Sequence, residues 1–191
     1  MRYSAVVIGV SAGGMEALHA VLSVLPPDFP VPVIVVQHMA PHSDDFLAQY
    51  LNDRCQPHVK EADEKETMRP GVVYLAPANY HLLVEDDKTL SLAVTKRINY
   101  ARPAIDVLFE SAADAFGPEL IGIVLTGAND DGSRGLKKIK DQGGLVIVQD
   151  PEEAVADIMP RAAIAATAVD HILPLEAIGH FLCKVTGVHD G

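Results

Sequence analysis

The chain has 191 residues, 49% hydrophobic and 21% charged, with a formal net charge of −11. That length fills one domain well and two poorly, and the balance of residue types excludes a disordered or fibrous chain. The acidity argues against nucleic acid and anionic membranes unless a basic stripe overcomes it; the best stripe, Lys137-Lys138-Ile139-Lys140, carries its own acid at Asp141 and reads as a solvated helix face.

The two cysteines, Cys55 and Cys183, stand in no paired motif, which fits a reducing compartment and structural thiols. The apolar run 5–10 passes into a glycine turn and the run 31–36 is broken by Pro32, so neither approaches the roughly 20 residues of a membrane span. A cytoplasmic protein without membrane insertion is expected.

In chain order, 3–10 reads as a buried strand and 14–25 as a helix with Met15, Leu18, Leu22 and Leu25 on one face, ended by Pro26-Pro27. A second buried strand, 33–37, precedes a helix opened by Ser43 as N-cap, with Phe46, Leu47, Tyr50 and Leu51 inward. Short strands follow at 72–75, 81–85 and 89–95; Asp86-Asp87-Lys88 between the last two predicts a β-hairpin. Pro103 sits at a first-turn position of a helix whose stripe is Ile105, Leu108, Phe109, Ala112 and Phe116, stopped by Gly117-Pro118. Then come a strand at 120–125, a helix from about 132 to 141, a strand at 144–149, a helix around 160–167, a short strand at 172–173 and a helix at 175–185. Near-continuous apolar strands joined by helices predict an α/β fold: a doubly wound, mainly parallel sheet with a small antiparallel hairpin, Rossmann-like and three-layered. Without repeats or linkers, 1–191 reads as a single domain.

In such a sheet, chemistry gathers at the C-terminal ends of the strands. Three of these ends carry reactive side chains: Ser11, His38 and Asp131. A serine hydroxyl needs an adjacent base, a histidine can take its proton, and a carboxylate holds the imidazole. Gly9-Val10-Ser11-Ala12-Gly13 also matches G-x-S-x-G, whose small residues allow a tight strand-to-helix turn that exposes the hydroxyl. A dinucleotide-binding loop is the rival reading of this turn, but it requires glycine where Ser11 stands and an acid near residues 35–37. A phosphate-binding P-loop is excluded because no Gly-Lys-Ser/Thr follows.

His38 directly follows a buried strand. His81 is kept as a possible site-lining residue, and His19, His42, His58, His171, His180 and His189 read as surface or structural. No histidine pair has the spacing of a metal-binding helix beside a suitable acid, so neither metal nor other cofactor is expected. Asp131 has its own rivals: Asp-Gly is a turn signal, an aspartate can cap the next helix, and Asp130 competes for the orienting role. Spacing alone leaves Asp130 and Asp131 both open.

These residues resemble the CheB family of chemotaxis protein-glutamate methylesterases. The resemblance runs on 8–14 (IGVSAGG), Val36-Gln37-His38-Met39, Tyr74-Leu75-Ala76-Pro77, 102–109 (RPAIDVLF), Val124-Leu125-Thr126-Gly127, Asp131-Gly132 and Met159-Pro160-Arg161, and extends from about 6 to 185. It implies a triad of Ser11, His38 and Asp131. The implied reaction is hydrolysis of glutamate γ-methyl esters on chemoreceptor helices, releasing methanol, with possible deamidation of receptor glutamines. The backbone N–H groups of Ala12 and Ala128 become candidate oxyanion donors. Arg102 becomes a candidate contact for an acidic receptor helix, with a structural salt bridge as its alternative. An esterase for another substrate, or a non-catalytic binding module of this fold, are the competing functions; the order Ser, His, Asp argues against an α/β-hydrolase.

The chain also departs from the family pattern. Ala128-Asn129 stands where Met-Gly is usual, and Asn129 is expected to replace the glycine by tolerating positive φ. Ala12 stands where threonine is common. The usual family protein carries an N-terminal receiver domain, whereas here the first strand starts within a few residues of Met1; control by a receiver domain or other regulator in trans is the expectation.

Overall fold

A computed structural model describes residues 2–188; His189 lies outside them. Seven strands form one parallel sheet: β1 (Ala5–Val10), β2 (Val33–Gln37), β3 (His58–Glu61), β4 (Val72–Leu75), β7 (Leu120–Val124), β8 (Leu145–Gln149) and β9 (His171–Leu173). The order across the sheet is β3-β4-β2-β1-β7-β8-β9, with every pairing parallel. The antiparallel hairpin is β5 (His81–Val84) paired with β6 (Leu90–Ala93).

The pleat sends alternate residues of β1 to opposite faces. Val6, Ile8 and Val10 enter a core shared with α1 (Gly14–Leu22), α2 (Phe46–Asn52) and α6 (Leu175–Val185). Ala5 and Val7 enter a second core with α3 (Ile105–Phe116), α4 (Ser133–Asp141), α5 (Ile158–Ala166) and the hairpin. All six residues of β1 are buried, which is why the strand reads as a continuous apolar run rather than an alternating one. The chain builds outward from β1 through β2 to β4 and β3, then returns to β7 on the other side of β1. This reversal opens a crevice at the C-terminal ends of β1, β2 and β7.

The doubly wound sheet, the hairpin and the α3 stripe agree with expectation; Ile105, Leu108, Phe109, Ala112 and Phe116 are all buried. Three local expectations need correction. β3 was not anticipated, because it is an edge strand with only Val59 buried among His58–Glu61, too little apolar signal to read. α2 begins at Phe46 with Asp45 at the N-cap, not at Ser43. The Phe46 amide is instead taken by Asp44 Oδ1 at 3.2 Å, and the later start turns Phe46 outward, 57% exposed. Pro103 lies two residues ahead of α3, whose first turn opens at Ile105 after an extended Ala104.

The basic stripe on α4 is neutralised in place: Lys137 pairs with Asp141, Lys138 with Asp114 and Lys140 with Asp170. Burial pushes the Cys55 thiol up to about 11, which keeps it protonated and unreactive at neutral pH. Among the described residues, no helix is long and apolar enough to cross a membrane.

Candidate active site

Ser11 follows β1 directly. Its N–H donates to the Thr126 carbonyl at 2.9 Å, and its own carbonyl accepts Gly14 N–H at 2.9 Å, closing the turn that leads into α1. Gly13 holds the left-handed conformation at the N-cap of α1, φ 78°, a geometry glycine adopts without steric cost. Gly14 answers a different need: a Cβ there would lie 1.7 Å from Gln37 Oε1. That close approach lets Gln37 Nε2 donate to the carbonyls of Ser11 (3.0 Å) and His38 (2.9 Å), clamping the ends of β1 and β2 together.

His38 stands one residue beyond β2, its N–H on the Val10 carbonyl at 3.1 Å. Its Nδ1 is 3.2 Å from Ser11 Oγ and its Nε2 is 2.7 Å from Asp131 Oδ2. Asp131 is 1% exposed and accepts two backbone N–H groups from the first turn of α3, Ile105 on Oδ2 at 2.7 Å and Asp106 on Oδ1 at 3.0 Å. Burial works to raise the Asp131 carboxyl, but the bonds from His38, Asp106 and Ile105 outweigh it and hold the group below its ordinary range. An ionised Asp131 can only accept, so Nε2 carries the proton and Nδ1 presents its lone pair to Ser11.

The structure thus brings Ser11, His38 and Asp131 into one hydrogen-bonded chain. Asp130 is exposed and offers its carbonyl to Ser133, so the competition between the two aspartates falls to Asp131. Asp131 is also a helix cap, but of α3, not of the helix that follows it in sequence.

The remaining predicted residues divide. Ala12 sits in the turn after Ser11, and its carbonyl accepts the Thr126 hydroxyl at 2.8 Å; that hydroxyl in turn accepts Ala156 N–H at 2.9 Å. Ala128 is exposed on the loop after β7. Arg102 does not form the structural salt bridge that was its alternative role: its guanidinium donates to Asn79 Oδ1 at 2.7 and 3.2 Å and to the carbonyls of Val94 (3.2 Å) and Thr95 (2.8 Å), with no carboxylate among them. It nonetheless borders a cavity of about 250 Å³ shared with His38, Met39, Arg97, Tyr100 and Asn129.

His81 is fully buried; its Nε2 meets the Lys96 carbonyl at 3.0 Å and its Nδ1 accepts Ala104 N–H at 3.2 Å. It braces the 96–104 segment behind the cavity and does not line the site. Asn129 is also not a stand-in for a glycine of positive φ. Among the described residues, the non-glycine positions with positive φ are Lys65, Asn79, Lys88, Asn99 and Tyr100. Asn129 instead uses its side chain, Oδ1 accepting Asp131 N–H at 2.9 Å and Nδ2 lying 3.1 Å from His38 Nδ1.

Three supporting residues carried little local signal: Thr126, Gln37 and Asp106, whose Oδ1 accepts Gly135 N–H at 2.7 Å and so ties α3 to α4. All three fall within the segments 36–39, 102–109 and 124–127 that carry the resemblance, and Gln37 also ends an otherwise apolar strand.

The family model described as CheB methylesterase matches residues 6–182. A Leptospira interrogans protein named as a protein-glutamate methylesterase/protein-glutamine glutaminase is 50% identical over 185 residues, covering 97% of this chain and 96% of that protein. The protein-glutamate methylesterase FrzG of Myxococcus xanthus is 40% identical over 182 residues, which are 95% of this chain and 54% of FrzG. The crystal structure of the Thermotoga maritima CheB methylesterase catalytic domain superposes with a TM-score of 0.92 at 37% identity, covering 96% of this chain and 98% of that one. Sequence and fold agree over nearly the whole length, and the chain belongs to the CheB methylesterase family.

Proposed function

We propose that the chain is a serine esterase that hydrolyses glutamate γ-methyl esters on the cytoplasmic helices of methyl-accepting chemoreceptors, and deamidates glutamines at equivalent sites. One observation carries the reading: in a chain of this family, Ser11 Oγ lies 3.2 Å from a histidine whose far nitrogen is held 2.7 Å from a buried carboxylate.

Ser11 Oγ attacks the γ-carbonyl carbon while His38 Nδ1 takes its proton. Asp131 keeps the opposite proton on Nε2 and stabilises the imidazolium that forms. The negative charge passes to the carbonyl oxygen, for which the backbone N–H groups of Ala12 and Ala128 are the proposed donors, aided by the N-terminal end of α1 just beyond Ser11. Such donors are worth on the order of 3 kcal/mol each in the transition state. The intermediate collapses as the Nδ1 proton moves to the methoxy oxygen; the C–O bond breaks and methanol leaves an acyl-Ser11 ester. Water then repeats the attack with His38 as base, releasing glutamate and restoring Ser11.

Arg97 and Arg102 offer positive charge in the cavity they share with His38, on a chain of net charge −11. Receptor segments rich in glutamate suit that local field, and regulation in trans by a receiver domain or another partner is part of the same proposal.

The test is methanol release from a peptide bearing one glutamate γ-methyl ester, compared with short acyl esters. The chain is expected to prefer the peptide, and Ser11→Ala to lose at least ~10³-fold in kcat with its circular dichroism unchanged. Substantial turnover by Ser11→Ala would reject this nucleophile; equal rates on simple esters would reject the substrate.

A further inference from the structure

We propose that Asn129 sets the balance between the two reactions, favouring hydrolysis of the methyl ester over deamidation of glutamine by donating a hydrogen bond to the leaving atom. The inference rests on the esterase and glutaminase function proposed above and concerns one step of it.

The side-chain amide of Asn129 has a defined orientation. Its Oδ1 accepts the N–H of Asp131 at 2.9 Å, and a backbone N–H can only donate, so the NH₂ group is the end that faces His38. Nδ2 lies 3.1 Å from His38 Nδ1, the nitrogen that Ser11 Oγ approaches at 3.2 Å. Two donors therefore converge on one lone pair. Once Nδ1 has taken the Ser11 proton it becomes a donor itself, and the Asn129 N–H loses its acceptor while the Asp131 contact still holds the amide in place.

The leaving atom supplies or withholds a replacement. To receive the proton it must come within hydrogen-bond distance of Nδ1, which sets it beside Asn129 Nδ2. The methoxy oxygen of the ester intermediate has two lone pairs: one takes the His38 proton, and the other accepts the Asn129 N–H as the C–O bond breaks and methanol forms. The amide intermediate presents an NH₂ nitrogen with a single lone pair. That pair takes the His38 proton, the C–N bond breaks and ammonia leaves. Throughout this step the substrate N–H groups meet the Asn129 N–H donor to donor, and Asn129 is left unpaired. An unpaired donor in a partly desolvated site carries a larger penalty than a made hydrogen bond returns, which is how polar sites reject a near-isostere.

Both substrates give the same acyl-Ser11 species, so any influence of Asn129 on deacylation is common to both. The ratio of kcat/KM values for the two substrates leaves deacylation out and compares acylation, in which the substrates differ at the leaving group. A residue acting only on the fold, or only on the placement of His38, would change both values in proportion.

The experiment uses the full chain and two peptides identical except for a glutamate γ-methyl ester or a glutamine at one position, with methanol and ammonia release as readouts. Asn129→Gly is expected to lower the ester-to-amide ratio by ~3- to 10-fold, the worth of one neutral hydrogen bond. Asn129→Asp, similar in shape but with an acceptor where the NH₂ stood, is expected to lower it further; it also serves if the glycine variant folds poorly. A ratio unchanged within twofold in Asn129→Asp overturns the inference even if both rates fall. Wild-type chain that hydrolyses neither peptide overturns the proposed function, and the inference with it.

Discussion

Asp131, on the loop between β7 and α4, accepts the amide of Ile105 at 2.7 Å and thereby caps a helix 26 residues earlier in the chain. The same oxygen, Oδ2, holds His38 Nε2. The orientation of His38 and the capping of α3 therefore share one carboxylate, and substitutions at 131 act on both. Asp131→Ala is expected to lower kcat by on the order of 10³–10⁴ and stability by about 1–2 kcal/mol through the lost cap. Asp131→Asn keeps an acceptor for one of the two α3 amides and turns its NH₂ toward the other, so it should lose comparable activity and a smaller part of the stability. Ester hydrolysis and urea midpoints on the two variants separate the roles; equal stability losses would show that the capping role has been overestimated.

Asp106 gives the fold a pH dependence of unusual sign. Burial, with the Asp131 charge adding to it and the Gly135 N–H opposing, pushes its carboxyl up to about 6. In the unfolded chain an aspartate ionises near ~3.9. Between these values the folded state binds the extra proton, so the contribution of Asp106 is fully present below about pH 4 and is lost as pH rises through about 6. Asp131, held low, acts in the opposite sense, and its contribution fades only as pH falls below about 4. Asp106→Asn retains an acceptor for Gly135 and is expected to flatten the decline in urea midpoint between pH 4 and 6.5. A variant with the wild-type slope over that range would rule out Asp106 as its source.

The sheet and α3 meet closely beneath the site. A Cβ on Gly9 would stand 2.3 Å from Ile105 Cγ2, and one on Gly135 would stand 2.4 Å from Phe109 Cβ. Ile105 is β-branched and stiff on its helix, so Gly9→Ala must move α3 rather than a rotamer. It is expected to cost about 1–3 kcal/mol. Because the Ile105 amide is anchored to Asp131, kcat should fall as well. Gly135→Ala displaces α3 from its α4 side at a similar cost. Thermal melts and ester turnover check both; a Gly9→Ala enzyme with wild-type stability would contradict the packing.

The legible parts of this molecule were those written in local pattern. Wholly apolar strands marked β1, β2, β7 and β8, and the 3.6-residue stripe marked α3, because burial on both faces or on one helical face leaves a period in the residues themselves. Ser11 and His38 stood out because each interrupts such a run where an open sheet delivers its chemistry. β3 escaped because an edge strand buries too little to leave a period, and the outward turn of Phe46 followed from an N-cap that moved two residues, from Ser43 to Asp45.

By itself the sequence determined the α/β order of elements and the arrival of a serine, a histidine and an acid at strand ends. The family resemblance singles out Asp131 over Asp130; only the tertiary structure decided how the Asp131 carboxylate is buried against His38, that Nδ1 rather than Nε2 faces Ser11, and that His81 supports a loop instead of the site. It also decided that the Asn129 amide shares the His38 lone pair with Ser11. The physical reason is common to all of these. Each depends on a hydrogen bond between groups 15 to 93 residues apart in the chain, and the direction of such a bond leaves no trace in local composition or spacing.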